Sequence, residues 1–154
     1  MPKKRLSKSR GRAKKVAIVA SKFNDFITRR LLNGCLIELP KLGVKATDVT
    51  VVWVPGSFEI PVAALKCARR KDVDAVIGLG AVIRGETIHF SLVSRAAAEG
   101  MSQVSLLTGK PVVFGVITTD TVDQAYKRSE PKGDNKGRDA ARTAVEMIDT
   151  LNQI

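Results

Sequence analysis

Four short apolar runs, set apart by stretches of helical periodicity, constrain this 154-residue chain more than any other feature. Val16–Ala20, Val49–Val54, Val73–Ile83 and Val112–Thr118 are rich in β-branched and small residues with little polar alternation. Strands buried on both faces read this way, and such strands belong to parallel sheets covered by helices. The intervening segments supply those helices. Apolar residues recur at helical spacing from Phe26 to Leu42, with Asp25 as the expected N-cap, Gly43 as the stop and Pro40 shortening or kinking the end. Ser57 is the expected cap of a second helix running to about Arg70, with Pro61 tolerated in its first turn. A third spans Thr87 to Leu107 and ends at Gly109, a short fourth covers Val122–Arg128, and the last runs from Gly137 to about Asn152. With right-handed crossovers, this order predicts an α/β fold: a doubly wound three-layer αβα sandwich on a four-stranded parallel sheet. Residues 15–154 are expected to form one domain.

Charge narrows the range of partners. Eight of the +11 formal charges (Lys3, Lys4, Arg5, Lys8, Arg10, Arg12, Lys14 and Lys15) lie in the first fifteen residues, without an acid, which leaves only +3 on the rest. Residues 1–14 therefore read as a basic, flexible arm on a nearly neutral body. Phosphate contact with a nucleic acid is the competing reading, and the absence of any aromatic residue to stack on a base weighs against it. The longest apolar run, Ala75–Ile83, falls far short of the ~20 residues of a membrane span, and no apolar segment follows the basic start as in a secretory signal. The two cysteines, Cys35 and Cys67, sit in apolar helical patterns and read as free core thiols of a cytoplasmic protein. With one histidine and no CxxC pair, the chain offers almost no ligands for a transition metal.

In an open parallel sheet, ligands bind beyond the carboxyl ends of the strands. The loops expected there are 21–25, 55–59, 84–89 and 118–121. The third places the sole histidine, His89, in the first turn of a helix. There the free amides and the positive dipole end make an anion site, with Gly85 permitting a close turn and Thr87 a candidate cap. An imidazole so placed can give and take protons; a surface histidine in a helix cap is the competing reading. Gly78 and Gly80 imitate the start of a dinucleotide fingerprint, but they lie inside a strand and the third glycine is missing, so no dinucleotide site is read. Arg128 is a candidate phosphate ligand, with Lys132 and Lys136 as nearby cations. Phe23, in a polar turn, and Phe114, in mid-strand, are candidates for stacking on a planar ring.

Taken together and in order, Ser21–Asn24, Val54–Pro61, Gly80–Phe90, Phe114–Thr121, Gln124–Ala125, Arg128 and Asn135–Gly137 resemble the 6,7-dimethyl-8-ribityllumazine synthase family of riboflavin biosynthesis. The resemblance runs from about Lys15 to Ile154. It implies a flavodoxin-like doubly wound fold and a transferase that needs neither metal nor organic cofactor. The implied reaction condenses 5-amino-6-(D-ribitylamino)uracil with 3,4-dihydroxy-2-butanone 4-phosphate, the penultimate step of the pathway. It further implies that Phe23 stacks on the pyrimidine with Asn24 nearby, and that Ser57, Phe58 and Glu59 line the ribityl side. The backbone of Ala81, Val82 and Ile83 would read the uracil edge, while Glu86, Thr87 and Arg128 take the phosphate. His89 would transfer protons, and Phe114, Lys136 and Asp139 would complete the pocket. The family's sites lie between subunits, with Phe114 coming from the neighbour. A homo-oligomer follows, a pentamer or a pentamer-based icosahedral shell, with riboflavin synthase as a candidate enclosed partner. The chain departs from the family in its long basic arm, in Pro40, and in Glu130 and Pro131 of the loop 129–134. A carrier that kept the fold without turnover would need neither His89 nor Arg128, which favours the enzyme.

Overall fold

The β-branched runs pair as parallel strands in a computed structural model that describes residues 13–154. The strands are β1 (Val16–Ser21), β2 (Val49–Val54), β3 (Ala75–Ile83) and β4 (Val112–Thr119), in the order β2-β1-β3-β4. Every pairing is parallel, with Val16 opposite Val49 and Ala75, and Val76 opposite Val112. The helices are α1 (Asp25–Lys41), α2 (Ile60–Ala68), α3 (His89–Thr108), α4 (Val122–Lys127) and α5 (Lys136–Leu151).

Alternation along the strands explains the three layers, because successive side chains leave opposite faces of a sheet. Ile18, Ile77 and Leu79 pack under α1 and α5 with Leu31, Cys35, Ala141 and Ile148. Their neighbours Val19 and Val76 pack under α2 and α3 with Ile60, Ala64, Met101 and Val104. The expected α/β sandwich of flavodoxin-like type is therefore the observed one. No helix among the described residues is long and apolar enough to cross a membrane.

Local signals prove less decisive than the layers. Asp25 is not the cap of α1. Asn24 takes that place in a left-handed conformation, and Asp25 becomes the first helical residue, ion-paired to Arg29 one turn on. The helix runs past Pro40 to Lys41, because a proline one residue from the end removes little of the ladder. Ser57 does not cap α2 with its side chain. Ser57–Glu59 form a separate single turn of 3-10 helix, and α2 starts with Pro61 in its first turn. Cys35 is buried, and burial pushes its thiol up to about 12. Cys67, in contrast, is only half-buried and packs against the edge of the core under α2 and α3. Twelve residues of the basic arm, 1–12, lie outside the described residues. Lys14, at its end, is ion-paired to Asp149 at 3.0 Å.

Candidate active site

The chain leaves β1 towards β2 and leaves β3 towards β4, and β1 and β3 are neighbours. The connections therefore diverge beyond the carboxyl ends of these two strands, which opens a crevice. A recess of about 740 Å³ lies there. Its walls come from three loops, after β1, β2 and β3.

The first loop is held by continuing the sheet pairing. Lys22 N–H donates to Val54 O (2.8 Å) and Phe23 N–H to Pro55 O (3.0 Å), one step beyond the ends of the paired strands. The chain then reverses at Asn24 (φ 59°, ψ 40°), the only non-glycine residue with positive φ among those described. Asparagine tolerates this region better than most residues. Its side chain does not cap α1; Nδ2 reaches across to donate to Ala81 O at 2.9 Å. Asn24 thus ties the turn to the end of β3 and leaves the Phe23 ring standing free, 73% exposed at the lip of the recess.

The second loop turns at Pro55-Gly56 and buries the Ser57 side chain, while Phe58 stays 62% exposed and Glu59 is half-buried. Gly80 is what makes room for Ser57. A Cβ at Gly80 would stand 2.6 Å from Ser21 Oγ and 2.8 Å from Ser57 Oγ. Gly78, one repeat back on the same face, gives similar clearance to Met101 and Ile60. The two glycines that imitate a dinucleotide fingerprint are therefore there for side-chain clearance within a strand.

The third loop carries the histidine. Arg84 N–H continues the β3–β4 ladder to Thr119 O (2.8 Å), and Gly85, Thr87 and His89 then line the recess. α3 begins at His89 itself, two residues later than expected. Thr87 nevertheless acts near the start: its Oγ1 accepts from His89 N–H at 3.3 Å. The imidazole stands exposed on the helix's first residue, where the unpaired amides gather positive potential. Two residues of the same segment have no assigned part in the expected chemistry. The Arg84 guanidinium lies 4.5 Å from the centroid of the Phe90 ring, and its Nε meets Asp120 Oδ1 at 2.7 Å.

The remaining expected residues are elsewhere. Phe114 and Lys136, with Asp139, line a second recess of about 470 Å³ beside the edge strand β4. Phe114 is 42% exposed there, not core. The Lys136 ammonium lies 3.3 Å from Asp134 and 3.5 Å from Asp139. The hydrogen bond and charge of Asp134, with a smaller part from Asp139, hold it above the usual lysine range. Arg128 ends α4, whose start is fixed by reciprocal bonds between Thr121 and Gln124. Its Nη1 donates to Gln124 O (3.1 Å), and its carbonyl accepts from Lys136 N–H (2.9 Å). Arg128 and Lys136 are thus neighbours on the β4 side. Asn24, Glu86 and Arg128 line neither recess.

One chain therefore gathers Phe23, Ser57, Phe58, Glu59, Ala81, Val82, Ile83, Thr87 and His89 in one recess, and places Phe114 and Lys136 in another. Sequence reasoning passed over Arg84 and Phe90. Their signal was an arginine at a strand end six residues before an aromatic. Among the described residues, no group of three His, Cys, Asp or Glu is placed to hold a metal ion.

Comparison with known proteins adds to this geometry. The family model described as 6,7-dimethyl-8-ribityllumazine synthase matches residues 13–152. The chain is 50% identical over 140 residues to the 6,7-dimethyl-8-ribityllumazine synthase of Protochlamydia amoebophila (strain UWE25), spanning 91% of this chain and 81% of that protein. It is 51% identical over 140 residues to the protein of the same name from Syntrophus aciditrophicus (strain SB), spanning 91% of each.

Proposed function

Since the chain belongs to the 6,7-dimethyl-8-ribityllumazine synthase family, an enzyme family of the transferase class, we propose that it performs the reaction that this name describes. In it, 5-amino-6-(D-ribitylamino)uracil and 3,4-dihydroxy-2-butanone 4-phosphate give 6,7-dimethyl-8-ribityllumazine, phosphate and water, the penultimate step of riboflavin biosynthesis. The observation that carries this reading is the recess itself. A free aromatic face (Phe23), a buried hydroxyl and a carboxylate (Ser57, Glu59), the end of β3 (Ala81–Ile83) and a helix-start imidazole (His89) surround one space of about 740 Å³.

Each part has a chemical task. The Phe23 ring offers a face to the pyrimidine, and the backbone of Ala81–Ile83 offers N–H and C=O groups to the uracil edge. Glu59 accepts hydrogen bonds from ribityl hydroxyls. The amine attacks the ketone and forms an imine, phosphate leaves, and the ring closes with loss of water. Every step moves a proton to or from nitrogen or oxygen, and His89 is the titratable group at hand. Holding both substrates in register supplies the rest of the acceleration. The phosphate is taken up by the amides around Glu86 and Thr87 and by Arg128. Among the described residues the Arg128 guanidinium has no carboxylate partner, so its charge is free for an anion.

Within one chain, Arg128, Phe114 and Lys136 stand on the β4 side, apart from the first recess. The site is then completed by a second copy, whose β4 side faces the first copy's recess, within a pentamer or a shell built of pentamers. The purified protein mixed with both substrates tests the reading directly. The expected result is growth of the absorbance and fluorescence of the lumazine; no product from the intact assembly would leave a ligand-binding protein without turnover.

A further inference from the structure

The turn that presents His89 is exposed from Arg84 to His89. Few contacts hold it. One is the ladder bond from Arg84 N–H to Thr119 O, and another is the Thr87 hydroxyl on His89 N–H. The third is the Arg84 side chain, which uses the two aspects of a guanidinium at once. Its edge donates from Nε to Asp120 Oδ1 at 2.7 Å, and its face lies over Phe90 at 4.5 Å. Phe90 is the residue next to His89 and lines the recess with it. Asp120 is itself anchored, because its N–H donates to Gln124 Oε1 at 2.8 Å within the capped start of α4. A continuous set of contacts therefore runs from the end of β4 through Asp120 and Arg84 to Phe90 and the first turn of α3.

We propose that Arg84 is a positioning residue: clamped by Asp120 and seated on Phe90, it fixes where α3 starts and hence where the His89 imidazole stands. The inference rests on the reading of His89 as the proton-transfer group. Arg84 lines no part of the recess and acts through its neighbour. A displaced imidazole forfeits proton transfer while both substrates still bind, so the loss falls on turnover. Arginine serves better than lysine, which can keep the ion pair but has no planar face to lay on a ring.

The test is a double-mutant cycle in the assembled protein. R84A, R84K, H89A and both R84 changes on H89A are compared by kcat and by KM for each substrate, with native mass confirming assembly. R84A is expected to lower kcat roughly tenfold with both KM values within about twofold, R84K to fall between, and neither to slow H89A further. Should R84A fail to assemble, R84K carries the same comparison. Three results overturn the proposal: an unchanged kcat, a loss confined to KM, or an equal loss on the H89A background. A wild-type rate for H89A alone would overturn the reading of His89 and this inference with it, whereas a slow H89A beside a normal R84A rejects Arg84 only.

Discussion

A single side chain can be the difference between a wall and a site, and here Asn24 shows it. Its left-handed backbone turns the chain out of β1, while its amide bonds Ala81 O, so Phe23 is presented and the β3 end is held by one residue. Arg128 is the other decisive side chain, and the expected phosphate role has a kinetic signature. Arg128→Ala should raise KM for the phosphorylated ketone ten-fold or more, in the range of ~1.5–3 kcal/mol for a lost charged hydrogen bond, and leave KM for the pyrimidine nearly unchanged. Steady-state rates with each substrate varied in turn check this; equal rises in both would contradict the assignment. Cys35 gives a residue-scale prediction of another kind. Burial holds its thiol at about 12, so the thiolate is scarce at any ordinary pH. A thiol reagent at pH 8 should leave Cys35 intact in the native protein and modify it once denaturant is added, as mass spectrometry of the peptide would show. Of the site residues, Phe23 and His89 were legible in the sequence. Core packing does not call for an aromatic ring in a polar turn, and a lone histidine at a strand end stands where ligands bind such a sheet. The burial of the Ser57 side chain was not legible, since it depends on the space left by Gly80 on another strand.

At the scale of elements, periodicity was sufficient for type and order but not for ends. Helix starts moved by one or two residues because caps are chosen by contacts that cross the fold. α5 is the clearest case. Asn135 caps it, with Oδ1 accepting from Arg138 N–H at 3.0 Å, while Nδ2 donates to Arg30 O and Glu130 O. The side chain is buried, so Asn135→Ala removes a cap and also the amide that ties Arg30 O and Glu130 O together. The cost should be about 3 kcal/mol, read as a fall of roughly 6–12 °C in Tm. A fall under a few degrees would mean that other groups take over these bonds. Close approach of α1 to α5 reinforces the point. A Cβ at Gly34 would meet the Asn135 side chain, and one at Gly137 would run into the backbone of Leu31. Neither requirement can be seen along one helix.

The whole molecule raises the question of what covers its apolar surface. Phe23, Phe58, Val62, Ile88 and Leu92 are all exposed, and several of them rim the recess. A second copy presenting its β4 side would cover them and bring Arg128 and Phe114 to His89. Genetic complementation can test the shared site. Co-expressed H89A and R128A chains, assayed at a ketone concentration well below the raised KM of R128A so that each is poorly active alone, should together recover activity corresponding to about one quarter of the sites, those pairing an intact His89 with an intact Arg128 from the neighbour. No gain over the separate variants would place both residues in the same chain's site. Native mass should give a multiple of the chain, with turnover lost as the assembly is diluted apart.

From its own order of residues the chain determined the layers, the parallel sheet, the strand ends as the place for chemistry, and His89 at a helix start. These follow from local periodicity and from handedness rules that any α/β chain obeys. Tertiary structure alone decided the rest. It gave Gly78 and Gly80 their purpose, turned Asn24 into a brace for β3, seated Arg84 between Asp120 and Phe90, and parted Phe114 and Lys136 from Phe23. The physical reason is that these are meetings between residues distant in the chain. Periodicity reports which face a residue takes, but only packing reports what it finds there.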